Sequence, residues 1–366
     1  MFGNHLSSAF QPFPPAQDAD MEEQSKIQEF LDVPCQMTLP IKAISASEIK
    51  LALRDIKKNK APGYDLITGK LLQELPDKGI ALITQVFNAM LRLTYWPIIW
   101  KILQEEFSKD IIPDHQFGFR VAHSTIQQVH RVVNVIASTL EEKVHCSAAF
   151  LDVTAAFDKV WHTGLLFKTK SLLPQPYYLL LKSYLSDRFF RVKHNHSYSY
   201  YHPIQASVPQ GSVLGPFLYV LYTQDLPRTE GTVIATFADD TAILSKHHDP
   251  TTASNNLQLY LNELQKWLNT WRIHVNESKS VHMTVTTKVA TCPPVALNNQ
   301  LIPQNDNVRY LGIHLDRKLT WKQHIEKKKV QLKLKHSKMF WLMGSKSKVS
   351  IQTVQNGSQT GLDVWN

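Results

Sequence analysis

The chain has 366 residues, 43% of them hydrophobic, which supports a sizeable core over two or three subdomains and excludes a disordered chain. A formal charge of +9 favours a polyanionic partner, nucleic acid ahead of an anionic membrane. Cys35, Cys146 and Cys292 stand far apart, which excludes a disulfide framework and a zinc knuckle and fits a reduced intracellular protein of nucleus or cytoplasm.

Residues 1–40 are polar and in part proline-rich (Pro12, Pro14, Pro15), read as a connector, and carry no signal peptide. Ser45 and Glu48 form a capping-box pattern ahead of a helix marked by Ile49, Ala52, Leu53 and Ile56, which Asn59-Lys60-Ala61-Pro62-Gly63 ends. A second helix is predicted over Gly79–Leu93, before Pro97. Ala148–Val153 is a short apolar run with an aspartate near its end, the mark of a buried strand. No apolar run is long enough to span a bilayer; Tyr177–Leu181 is short and Lys182 interrupts it. Val233–Leu244 reads as a hairpin with Asp239-Asp240 at its tip. Leu257, Tyr260, Leu261, Leu264, Trp267, Leu268 and Trp271 recur at helical spacing, as on a core-facing helix. Val308–Leu315 reads as one more strand, and the lysine-rich stretch Lys327–Lys338 as a solvated helix face, with a nuclear signal as the alternative. Strands and helices without regular βαβ alternation predict an α+β fold with an antiparallel sheet.

Asp152, Asp239 and Asp240 are the candidate carriers of chemistry. Aspartates pressed against apolar segments need a partner, because a desolvated charge is costly. Turn chemistry alone accounts for Asp239-Asp240. A pair of divalent cations bridged by carboxylates, as in nucleotidyl transfer, accounts for all three.

The surrounding residues narrow the choice. Phe150-Leu151-Asp152-Val153-Thr154-Ala155-Ala156-Phe157-Asp158-Lys159-Val160-Trp161-His162 resembles motif A of non-LTR retrotransposon reverse transcriptases. Gln210-Gly211-Ser212-Val213-Leu214-Gly215-Pro216 resembles motif B, and Phe237-Ala238-Asp239-Asp240 motif C. Trp267–Lys279 resembles motif D, and Tyr310-Leu311-Gly312 with the following residues the primer-grip motif E. Ala61-Pro62-Gly63-Tyr64-Asp65 and His115-Gln116-Phe117-Gly118-Phe119-Arg120 are similar to upstream landmarks. The motifs stand in family order from about Ile41 onward, and their wording is most similar to the jockey-like clade.

The resemblance implies a right-hand polymerase with an antiparallel palm sheet: residual fingers over 41–121, a palm with a fingers-side insertion over 122–300, and a primer grip with a truncated thumb over 301–366. It implies RNA-directed DNA synthesis from an RNA template, a DNA primer and dNTPs, with two Mg²⁺ ions, or Mn²⁺ in their place, on Asp152, Asp239 and Asp240. Phe157 would be the steric gate against the 2′-OH, an ordinary core ring being the alternative. Gln210 and Gly211 would contact the nascent pair or template, Arg120 the nucleotide, and Lys279 the leaving pyrophosphate. Relatives carry an upstream endonuclease domain and a longer fingers segment where this chain passes almost directly from Lys101 to His115. A shortened fingers segment removes basic side chains that clamp the triphosphate, so a catalytically inactive nucleic-acid-binding remnant is the alternative reading.

Overall fold

The computed structural model describes residues 2–15, 19–34, 43–54, 56, 68–92, 112–120, 122–194, 197–208 and 214–343. The N-terminal helices are α1 (Phe2–Ala9), α2 (Ala19–Asp32), α3 (Ala46–Arg54), α4 (Gly69–Gln73), α5 (Asp77–Arg92) and α6 (Thr125–Glu141). Strand β1 (His145–Leu151) and helices α7 (His162–Leu172) and α8 (Gln175–Leu185) follow, then the short strands β2 (Phe189–Phe190), β3 (Lys193–His194), β4 (Ser197–Tyr198) and β5 (His202–Pro203). Helix α9 (Leu214–Thr223) leads to β6 (Thr232–Phe237), β7 (Asp240–His247), α10 (Pro250–Thr270) and β8 (Val281–Val285). The chain continues through β9 (Ala296–Leu297), β10 (Gln300–Leu301), β11 (Asn307–Tyr310), β12 (Ile313–Asp316) and α11 (Lys322–Met343).

The centre is a four-stranded antiparallel sheet in the order β6-β7-β1-β8. Every residue of β1 is buried because helices cover both faces of the sheet. Successive side chains of a strand point to opposite faces. Cys146, Ala148 and Phe150 accordingly meet Val129, Val132 and Ile136 of α6. Ala149 and Leu151 meet Leu257, Tyr260, Leu261, Leu264 and Leu268 of α10. Ser147 shares the second face and is satisfied by the His282 ring at 2.7 Å and the Ser254 hydroxyl at 3.2 Å. Helices α7, α8 and α9 build a third cluster around Leu165, Leu181, Phe217 and Leu218. This is an α+β arrangement on an antiparallel sheet, and among the described residues no helix is long and apolar enough to cross a membrane.

Several expectations hold and several are corrected. The capping box forms, with the Ser45 N–H donating to Glu48 at 2.7 Å and the Glu48 N–H to the Ser45 hydroxyl at 3.3 Å. The described helix there ends at Arg54, leaving Ile56 outside it, and 57–67 lie outside the described residues. β1 begins at His145 and stops at Leu151, so Asp152 stands just past the strand and Val153 makes an isolated bridge with Val275. Val308–Leu315 is two strands, β11 and β12, because Leu311 and Gly312 turn the chain with φ of 45° and 79°. The segment read as a connector contains docked helices. Ile27 of α2 is buried with Leu165 and Trp271, and Lys170 donates to the Phe30, Leu31 and Val33 carbonyls at the end of α2. The Phe10 carbonyl after α1 accepts from the Gln205 and Ala206 N–H groups at 3.0 and 2.9 Å.

Candidate active site

The sheet register delivers three carboxylates to one end. Leu151 pairs with Thr241 and Phe237 with Asp240, so Asp152 leaves β1 beside the point where Asp240 enters β7, and Asp239 lies in the turn between β6 and β7. Burial pushes the Asp240 carboxyl above its usual range, and the charges of Asp239 and then Asp152 add to this, while Arg309 opposes it. Asp240 therefore feels the charge of both other carboxylates. Among the described residues, no group of three or more His, Cys, Asp or Glu side chains is gathered closely enough to hold a metal ion.

The backbone of Asp152 is fixed from the motif D side. Its N–H donates to the Ser280 hydroxyl at 3.1 Å, its carbonyl accepts from Asn276 at 2.8 Å, and Thr154 donates to His274 at 2.8 Å. Lys279 lies exposed in the same turn, its N–H donating to the Asn276 side chain at 3.1 Å. Phe157, half-buried after the turn that follows Asp152, stacks on Tyr219 at 4.8 Å and meets Phe119 edge-on at 6.2 Å. Tyr219 is itself near the carboxylates, since burial and then Asp239 raise its phenol. Arg120 shares the loop of Phe119 and forms an ion pair with Asp114 at 3.8 Å. Gln210 and Gly211 lie outside the described residues.

The structure adds a residue that motif reading did not single out for a role. Ala238, first in the turn between β6 and β7, has φ of 58°, a conformation that costs an L-residue roughly 1–2 kcal/mol. The buried Gln116 side chain spans it: Oε1 accepts from the Ala238 N–H at 3.0 Å and from the Gly118 N–H at 2.7 Å. Phe117 donates to the Thr236 carbonyl at 3.0 Å, and Thr236 donates back to His115 at 3.0 Å. A Cβ at Gly118 would lie 2.3 Å from the Ala238 nitrogen, so the loop approaches the turn only as glycine. The sequence signal is the landmark string His115-Gln116-Phe117-Gly118-Phe119-Arg120, which contains both Gln116 and Gly118.

A polar cavity of about 480 Å³ lies between the β11–β12 hairpin and α11, lined by Asn305, Asn307, Arg309, His314, Lys327 and Lys328 among others. Burial and then Lys327 and Arg309 hold the His314 ring below its ordinary pKa, which marks a concentration of positive charge. Tyr310 ties this hairpin to the sheet by donating to the Ala235 carbonyl at 3.2 Å.

Residues 88–315 match the family described as reverse transcriptase (RNA-dependent DNA polymerase). The chain is 37% identical to the "Probable RNA-directed DNA polymerase from transposon X-element" of Drosophila melanogaster, over 96% of this chain and 43% of that protein. It is 36% identical to the "RNA-directed DNA polymerase from mobile element jockey" of the same species, over 96% of this chain and 43% of that protein. The chain thus spans less than half the length of these relatives. The X-element alignment runs over 396 positions against the 366 residues of the chain, so at least 30 positions of that relative fall opposite gaps. Among solved structures, telomerase from Candida tropicalis is similar at a TM-score of 0.40 and 14% identity, over 66% of this chain and 44% of that one. With its antiparallel sheet and the match over residues 88–315, the chain belongs to the reverse transcriptase family of RNA-dependent DNA polymerases, and over most of its length it is similar to the polymerases of the jockey and X-element transposons.

Proposed function

We propose that the chain is the RNA-directed DNA polymerase domain of such an element, transferring nucleotides from dNTPs to a DNA primer on an RNA template. The observation that carries this reading is the arrival of Asp152, Asp239 and Asp240 at one end of the palm sheet. Their oxygen-only donor set suits a hard divalent cation, and Asp240, raised first by burial and then by the charges of Asp239 and Asp152, is a carboxyl that such a cation would favour in its ionised form. Two ions distribute their ligands over two centres, so the set need not close on one point. Asp152 and Asp239 would hold Mg²⁺, or Mn²⁺ in its place, with Asp240 beside them; when bound, the ions neutralise charge on the attacking and leaving oxygens.

The chain's own residues supply position. The primer 3′-oxygen attacks the α-phosphorus, the α–β anhydride bond breaks, and pyrophosphate leaves. Phe157, backed by Tyr219, forms a rigid wall against the sugar, leaving no room for a 2′-OH. Lys279, exposed beside the Asp152 backbone, donates a proton to the departing pyrophosphate. Arg120 reaches the triphosphate by releasing Asp114. Gln210 and Gly211 contact the nascent pair. In this reading residues 41–121 are fingers, 122–300 palm, and 301–366 primer grip and thumb, and Arg309 with Lys327 holds the primer phosphates.

One observation favours a second reading, an inactive nucleic-acid-binding remnant: at least 30 positions of the X-element relative have no counterpart in this chain, a loss that this reading assigns to the fingers segment. Primer extension on an RNA template with dNTPs and Mg²⁺, comparing the parent with Asp239→Ala, separates the two. Extension by the parent and a loss of at least about a hundredfold in the variant supports the polymerase. No extension by folded, template-bound parent protein establishes the remnant.

A further inference from the structure

Away from the carboxylates, residues 188–194 and 197–204 form two short antiparallel ladders, β2 with β5 and β3 with β4. One side of this unit is anchored. Phe190 packs edge-on against Phe10 at 5.1 Å and stacks on His202 at 5.3 Å, and Ile204 donates to the Arg188 carbonyl at 2.9 Å. The other side displays Tyr198, Tyr200 and Tyr201 at 51%, 91% and 65% exposure. A cluster of exposed rings marks a binding surface more often than a scattered single one does. The rings here are interleaved with cations. The Arg191 guanidinium lies 4.1 Å from the centre of Tyr198 and 5.2 Å from that of Tyr201, and the Lys193 ammonium 5.6 Å from Tyr198. Among the described residues, neither Arg191 nor Lys193 pairs with a carboxylate. Asp187 is the one acidic residue between 187 and 204.

We propose that Tyr198, Tyr200 and Tyr201, with Arg191 and Lys193, form a stacking platform for single-stranded RNA, the unpaired part of the template. An aromatic ring stacks on any base, and an unpaired cation beside it takes the phosphate, so the combination binds a single strand without reading its sequence. A duplex hides its base faces and gains only the charge contacts. An acidic protein partner would use the cations but has no need of three open rings. The platform is joined to the catalytic wall by a short stretch of chain: Ala206 bridges to Trp161, Ser207 donates to Val160 at 2.9 Å, and Val208 donates to the Phe157 carbonyl at 2.9 Å. The platform thus sits on the segment that runs back to Phe157. The identity of the strand as template rests on the polymerase reading above; the platform itself does not.

The test measures binding of the full chain to a labelled single-stranded oligouridylate and to a blunt RNA–DNA duplex. Replacing Tyr200 and Tyr201 together by Ala is expected to weaken single-strand binding by about tenfold or more and leave duplex binding unchanged. Arg191→Gln is expected to lower the slope of log affinity against log salt by about 0.7. The high exposure of Tyr200 and Tyr201 leaves folding undisturbed, which equal thermal unfolding of parent and variant verifies. Equal single-strand affinity in parent and variant overturns the platform, as does an equal loss for both ligands. Tyrosine-dependent single-strand binding by a parent that extends no primer leaves the platform standing and sinks the polymerase reading instead.

Discussion

Ala238 occupies a left-handed conformation in the turn that presents Asp239, and a glycine would hold it at less cost. Gln116 offsets that cost by accepting from both Ala238 and Gly118. Removing the acceptor leaves two buried donors unsatisfied, each worth about 1–3 kcal/mol. Gln116→Ala is therefore expected to lower the urea unfolding free energy by about 2 kcal/mol or more and to weaken primer extension beyond what the stability loss explains. A variant as stable and as active as the parent would show that the turn holds itself. Lys168 illustrates a buried charge met in a different way. It donates to the Tyr222 carbonyl and to Asp225 and lies 3.8 Å from the Trp271 ring centre, yet burial still pulls its pKa down to about 8. Neither partnership is legible from neighbouring residues, since each joins positions far apart in the chain.

At the scale of elements, local signals served well where they were strong. The stripe predicted for 257–271 is the buried face of α10 as far as Leu268, with Leu257, Leu261, Leu264 and Leu268 against the sheet, while Trp271 caps the helix and packs with Leu165 and Tyr222 instead. The cost of truncation depends on face. Leu261→Ala, fully buried, is expected to cost about 3 kcal/mol in chemical denaturation, and Leu259→Ala, 61% exposed, less than about 0.5 kcal/mol. Equal effects would place the stripe on the wrong face. Helix α6 carries its own start signal in Ser124 and Gln127, a formed capping box, followed by Val129, Val132 and Ile136. β1 was legible only from Ala148, because His145, Cys146 and Ser147 do not resemble a buried strand until Ser254 and His282 satisfy Ser147. A single strand was expected where β11 and β12 form a hairpin, because Leu311-Gly312 is a turn inside an otherwise apolar run.

At the scale of the whole molecule, burial couples stability to pH. His115 and His282 are both pushed down to about 4, by burial in each case, with Arg228 and Arg131 adding at His115 and Asp114 opposing. Their folded pKa values lie below the unfolded value of about 6.5, so the unfolded chain binds more protons between these limits. Stability is then complete above pH about 6.5 and falls as pH drops toward 4, by at most about 3 kcal/mol per histidine. Urea unfolding at stepped pH between 7.5 and 5 checks this; a flat profile would contradict it. The same scale shows α1 and α2 bound to the palm through Phe10, Ile27 and Lys170, although the composition of residues 1–40 reads as a connector.

The sequence by itself determined the order of the motifs, the carboxylates at the ends of apolar runs, the basic character and the α+β class. These depend on periodicity, turn chemistry and composition, which act within a few residues. Only the tertiary structure decided which groups meet. Asp152 reaches Asp240 through the register of β1 on β7, Gln116 reaches Ala238 across 122 positions, and Phe157 finds Tyr219 and Phe119 from two other segments. Such meetings are fixed by the burial of both sheet faces, a property of the assembled core that no single window of sequence contains.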